Sequence, residues 1–189
     1  FNMGMAADHV AKVYSISRRE QDEYAVRTQL LAVKAIDGGL FRAEIVPLTV
    51  KTRKSEIAFV EDEHPRRDCS LESLTKLAPT FGEDGTVTAG SASGVSDGAA
   101  AAMLMSREKA DALGVKPLAR VLSTARVGVD PRLICMSPAP AASVALERAG
   151  LRPGDIGWWE INEAFSSVVL SSCRELGIGL DRVNPLGGG

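Results

Sequence analysis

The residues best placed to do chemistry stand in Trp158-Trp159-Glu160-Ile161-Asn162-Glu163-Ala164-Phe165, where a strand-like run passes straight into a helix-like one. Polar groups at such a junction lie beside unpaired backbone N–H groups and the positive end of the helix dipole. That suits binding an oxyanion or orienting a water. Asn162 is the pivotal residue; the competing reading is that Asn162 caps the helix and Glu163 favours its first turn. The second candidate is the small-residue stretch Gly85-Thr86-Val87-Thr88-Ala89-Gly90-Ser91-Ala92-Ser93-Gly94. There Ala89 and Ser93 can offer a backbone carbonyl and a hydroxyl to an amide-bearing ligand, against the plainer reading of a tight turn. The third is Arg66-Arg67, whose guanidinium forks suit phosphate or an adenine face, against the reading of a solvated charge pair.

Other reactive side chains carry weaker signals. His9 reads as a partly exposed helix residue and His64 as a loop residue rather than as acids or bases. Cys69, Cys135 and Cys173 lack a sequence cue for a lowered thiol pKa and read as small apolar residues or bystanders. With two histidines and three scattered cysteines, no metal-ligand spacing is expected. No GxSxG, P-loop or GxGxxG stands in a strand-turn-helix context.

The elements that must position these residues follow from periodicity and caps. Ser17-Arg18-Arg19-Glu20 is a capping box opening a long helix, with Tyr24, Leu31 and Ala35 on one apolar face and Gly38-Gly39 as its stop. A weaker helical pattern covers residues 5–13. Residues 44–50 read as a short strand that Pro47 confines to an edge. Residues 51–79 read as a polar surface excursion with one short helix at 71–77. After the seam at 85–94, the apolar run 99–105 reads as a buried strand, and Ser106 caps a helix ending at Gly114. The unit then repeats: strand 118–125, helix 140–149, strand 155–161, helix 163–176 ending at Gly177. Such alternation predicts an α/β fold.

The chain has 189 residues, 24% of them charged and 45% hydrophobic, with 22 basic and 24 acidic side chains. That balance, without a block of like charges, gives no footprint for nucleic acid or a membrane surface. An odd cysteine count with no leader pattern or long apolar run points to a reducing compartment, the cytoplasm by default. A start at Phe1 and a finish in Gly187-Gly188-Gly189 lead us to expect a chain cut at both ends.

Eight stretches occur in an order that resembles the thiolases: Asn2-Met3-Gly4, Ser17 to Glu23, Glu44-Ile45-Val46-Pro47, Gly85 to Gly90, Ser96-Asp97-Gly98-Ala99-Ala100-Ala101, Val127-Gly128-Val129-Asp130-Pro131, Asn162-Glu163-Ala164-Phe165 and Val183 to Gly188. The resemblance covers essentially the whole chain. It implies acyl-CoA acyltransfer: thiolytic cleavage of a 3-oxoacyl-CoA to acetyl-CoA and a shortened acyl-CoA, or the reverse Claisen condensation. The implied fold is a partial thiolase α/β/α/β/α layering. Residues 1–94 would be part of the inserted loop domain and its return seam, 95–117 the last strand-helix unit of the N-terminal core domain, and 118–189 the first part of the C-terminal one.

By the same resemblance, Asn162 matches the asparagine holding a water in the oxyanion hole. Ser93 matches a pantetheine contact, Ala89 a nearby CoA contact, and Arg66 the arginine beside the adenosine part of CoA. Met3, Phe81, Ala164 and Phe165 match apolar residues of the pantetheine tunnel and acyl end, with core packing as the alternative for each. CoA and acyl-CoA enter as substrates, with no tightly bound cofactor. The implied partners are other copies of the chain, in a homodimer or homotetramer, and a eukaryotic protein would be mitochondrial or peroxisomal.

The resemblance also implies a cysteine nucleophile, a Gly-His-Pro histidine and a second, acid-base cysteine. None of the three is in this chain, which alone is expected not to turn over. A shortened, non-catalytic CoA-binding or partner-binding protein is the alternative. Asn2 stands where acetoacetyl-type enzymes often carry histidine, and Ser96-Asp97-Gly98 with Asn184 to Gly188 looks more like the degradative type. Ser91 replaces a common asparagine and Ser93-Gly94 is closer to the acetoacetyl wording, which leaves the chain-length preference open.

Overall fold

The computed structural model describes residues 2–51, 53 and 55–188. Phe1 and Gly189 lie outside the described residues, so Gly187 and Gly188 are what remains of the terminal glycine run. The helices begin where side chains can cap them. Asn2 Oδ1 accepts the Met5 N–H at 2.9 Å and opens α1, Met3–Val13, earlier than the residue 5 expected. Helix α2, Arg18–Asp37, starts on the capping box: Ser17 Oγ accepts the Glu20 N–H, and Glu20 Oε2 accepts the Ser17 N–H at 2.8 Å. The Ser17 contact holds the Glu20 carboxyl below its usual range. Helix α3, Leu71–Thr75, is tied to α2 by Arg18, which pairs with Asp22 at 2.8 Å and donates to the Leu74 and Leu77 carbonyls.

Helix α4, Arg107–Leu113, is capped by Ser106; α5 is Pro138–Ala149 and α6 is Ser166–Leu176. The last three end on left-handed glycines, Gly114, Gly150 and Gly177. The core lies where α1 meets α6. Ala6, Ala7, Val10 and Ala11 pack with Val168, Val169, Leu170 and Cys173, joined by Val87, Cys135, Trp159, Ile161, Phe165 and Val183. Small α1 residues allow a close approach, so that Ser167 Oγ reaches the Ala7 carbonyl at 3.2 Å. At Gly4, a Cβ would fall 2.1 Å from the Phe81 ring, which occupies that space.

The strand expectations need correction. Residues 44–50 do hold a strand, but it is β1, Leu48–Lys51, beginning after Pro47; it pairs antiparallel with β2, Glu56–Phe59, inside the stretch expected to be loop and helix only. Residues 99–105 and 118–125, expected as buried strands, are unpaired, and Met103, Leu104, Leu118, Val121 and Leu122 are exposed. Their sequences suit a buried sheet, but no described segment offers them a ladder partner; Ser123 and Arg148 only tether 118–125 to α5. The strand expected at 155–161 shrinks to one parallel bridge, Trp159 with Val183. The helix expected from Glu163 starts at Ser166. The buried face of α2 is also more polar than expected, with Gln21, Asp22 and Thr28 beside Tyr24 while Leu31 is only half-buried.

Candidate active site

The late start of α6 has a local cause. Ala92 and Phe165 form an antiparallel bridge, the Ser93 N–H donates to the Ala164 carbonyl at 3.2 Å, and the Ser166 N–H donates to the Ser91 carbonyl at 2.9 Å. The small-residue seam therefore holds residues 164–166 in strand-like pairing and releases the chain into helix only after Phe165. Burial alternates along this segment as it does in an extended chain: Ile161 and Glu163 point inward, and Asn162 between them is exposed. Asn162 is not the helix cap; Phe165 holds that position without a side-chain bond. The Asn162 amide makes no hydrogen bond to another described residue, so its polar atoms face outward from a fixed backbone.

Most of the expected contact residues converge here. The seam supplies Ser93, exposed and paired through its backbone to Ala164. Phe165 is buried and meets the Phe81 ring edge-to-face at 5.9 Å. Phe81 in turn covers Gly4, next to exposed Met3 at the start of α1. Core packing is thus part of what Phe165 and Phe81 do. Ala89, exposed, lies on the same seam.

Arg66 belongs to a loop pinned to α2 by its own N–H, which donates to Gln29 Oε1 at 2.7 Å. That loop touches the seam, since a Cβ on Gly94 would fall 2.3 Å from the His64 imidazole. The two arginines differ: Arg67 is paired with Asp37 and Glu61, whereas the exposed Arg66 guanidinium has no ion pair among the described residues. Of the two, Arg66 is the one left available to a ligand.

What the sequence reading missed lies beneath Asn162. Glu163 does not favour a helix turn; it is buried and accepts from three side chains. Tyr24 Oη donates to Oε1 at 2.5 Å, Asn184 Nδ2 donates to Oε1 at 2.6 Å, and Thr28 Oγ1 lies 2.9 Å from both carboxyl oxygens. Burial, reinforced by Glu163, pushes the Tyr24 hydroxyl well above its usual range, so it stays a donor. Asn184 also accepts the Ile161 N–H at 2.8 Å and donates to the Ile161 carbonyl at 2.9 Å. The available signal was the i, i+4 spacing of Tyr24 and Thr28, a polar pair on one helix face.

Of the three cysteines, Cys135 reaches the edge of this site, its Sγ lying 3.7 Å from the Met3 carbonyl oxygen. Burial raises the Cys135 and Cys173 thiols to about 11 and raises that of Cys69 too, but Cys69 alone is only partly covered and so open to reagent. Because the thiolate is the reactive form, a short iodoacetamide pulse at pH 8 on the native protein should label Cys69 ahead of the other two. Peptide mapping checks this, and equal labelling of Cys135 would contradict the packing of α1 on its neighbours. Among the described residues, no group of His, Cys, Asp and Glu could hold a metal ion, and no helix is long and apolar enough to cross a membrane.

Comparison with known proteins shows the family and the fold. Residues 1–108 match the family described as thiolase, N-terminal domain, and residues 115–189 match thiolase, C-terminal domain. The chain is 47% identical over 190 residues to an acetyl-CoA acetyltransferase of Syntrophomonas wolfei and 46% identical over 189 residues to a β-ketothiolase of Cupriavidus necator, covering all of this chain and 48% of each relative. Among solved structures, acetyl-CoA acetyltransferase of Bacillus anthracis superposes with a TM-score of 0.96 at 45% identity, over 99% of this chain and 48% of that one. Human mitochondrial 3-ketoacyl-CoA thiolase gives 0.90 at 38% identity, over 100% of this chain and 47% of that one. The chain therefore spans about half the length of the relatives it matches. The expected partial α/β fold is the fold of these neighbours, and the chain belongs to the thiolase family of acyltransferases.

Proposed function

We propose that the complete protein carrying this chain is an acyl-CoA C-acyltransferase that cleaves a 3-oxoacyl-CoA with CoA, in the degradative direction, and that this chain supplies its oxyanion-site asparagine and part of its CoA surface. The observation that carries the reading is the packing of Phe81 on Phe165 and the pairing of Ser93 with Ala164 around a backbone segment that presents an exposed Asn162. In this reading Asn162 holds a water against the thioester oxygen as negative charge develops there. Ser93 contacts the pantetheine arm, Ala89 makes a nearby CoA contact, and Arg66 lies beside the adenosine part. The cysteine nucleophile, the Gly-His-Pro histidine and the second cysteine come from sequence other than this chain, and the chain alone is inactive.

The division at 1–94, 95–117 and 118–189, assembly as a homodimer or homotetramer, and a cytoplasmic location belong to the same proposal. The degradative direction is supported by the wording of Ser96-Asp97-Gly98 and by Asn2, whose amide is committed to capping α1.

The test has two parts. The intact mass of the native product should be about twice that of this chain, as for relatives of which the chain spans 48%, and that product should consume acetoacetyl-CoA or a longer 3-oxoacyl-CoA only when CoA is added. A native product of this chain's own length, binding CoA without turnover, would overturn the catalytic reading. Within an active enzyme, Arg66→Ala should raise KM for CoA roughly tenfold and leave kcat unchanged, since a remote contact is uniform between ground and transition states. Steady-state kinetics decides; a fall in kcat at constant KM would remove Arg66 from the adenosine side.

A further inference from the structure

Beneath Asn162 lies a buried carboxyl group, bonded by three side chains, that the proposed reaction does not use. Glu163 is 7% exposed, and no arginine, lysine or histidine among the described residues pairs with it. Instead three neutral side chains from two distant segments converge on it: Tyr24 and Thr28 from α2, and Asn184 from the turn beyond α6. Asn184 has a positive φ of 45° and Gly187 one of 79°, so that turn is shaped by residues that tolerate left-handed backbone. The chain then passes against the carboxyl group itself, where a Cβ on Gly188 would fall 2.4 Å from its carbon. On the other side, Asn184 bonds both backbone groups of Ile161 and its own N–H donates to the Trp159 carbonyl at 2.9 Å. One carboxyl group thus fixes the segment on either side of Asn162 and the turn that follows Asn184.

We propose that Glu163 is a positioning residue of the oxyanion site: its buried carboxyl group, held by Tyr24, Thr28 and Asn184, locks the backbone that presents Asn162 against the turn 184–188. The inference rests on the function proposed above. Glu163 touches no substrate. It acts through Asn162, whose amide has no other described side chain to aim it, and a displacement of about 1 Å at such a group costs on the order of a hundredfold in rate.

The test is made in the complete enzyme, with the folded fraction of each variant checked by thermal melting at the assay temperature. Glu163→Gln keeps an acceptor at the Oε1 position and can turn its NH2 to Thr28 Oγ1, so its kcat should stay within roughly threefold of the parent. Glu163→Leu removes every acceptor; its kcat should fall roughly a hundredfold while KM for CoA moves less than about threefold. Should Glu163→Leu not fold, Thr28→Val takes its place, losing one donor at near-equal shape, with an expected fall in kcat of roughly tenfold at constant KM. Parental kcat in folded Glu163→Leu or Thr28→Val overturns the proposal, and so does a Glu163→Gln variant as slow as Glu163→Leu. A parent enzyme without thiolysis overturns the proposed function and this inference together; an active parent with indifferent variants overturns this inference alone.

Discussion

Replacing Asn162 with alanine in the complete enzyme is expected to lower kcat by roughly two to three orders of magnitude while CoA affinity stays nearly intact, as loss of one oxyanion-site donor does. The expectation follows from where the side chain sits. Asn162 is exposed, caps no helix and bonds to no other described residue, so its removal leaves no buried partner unsatisfied and opens no cavity. A stability change should therefore be small, within about 0.5 kcal/mol, as for surface positions without special contacts. The combination is diagnostic: a large kinetic effect with an unchanged melting temperature. Parental kcat in this variant would end the role assigned to Asn162. A large drop in melting temperature would instead show that the side chain is structural.

Gly187→Ala is expected to do the opposite, destabilising the fold by about 3–5 kcal/mol before any kinetics can be read. Gly187 has φ +79°, and a Cβ there would lie 2.4 Å from both the Ala32 nitrogen and the Thr28 carbonyl oxygen. Those are backbone atoms of α2, so nothing flexible can yield; the turn would have to leave the helix. Because Thr28 and Asn184 meet at the same carboxyl group, displacement of the turn would also open the Glu163 cluster. Equilibrium denaturation of the variant beside its parent measures the effect, and a loss below about 1 kcal/mol would mean that the turn docks less closely than described.

Helix ends were legible in the sequence because caps are local. Ser17 with Glu20, Ser106 with Gly114, and the stops at Gly150 and Gly177 all act through bonds to neighbours a turn away. Strand pairing was not legible, because it depends on what lies alongside. Residues 99–105 have the composition of an interior strand yet pair with nothing, while β2 formed in a charged stretch that gave little apolar signal. The candidate site was legible chiefly as a family resemblance; the periodic pattern alone placed Asn162 and Glu163 in a helix start. They are not there because the seam pairs with residues 164–166 first. Asn184 and Tyr24 could not be read as partners of Glu163, since contacts between residues so far apart in the chain leave no spacing rule.

The unpaired stretches 99–105 and 118–125 bear on how the chain behaves when made by itself. Open N–H and C=O rows flanked by bare Met103, Leu104, Val121 and Leu122 are templates for like segments of other molecules. Overproduced alone, this polypeptide should accumulate in inclusion bodies and bind holdase chaperones.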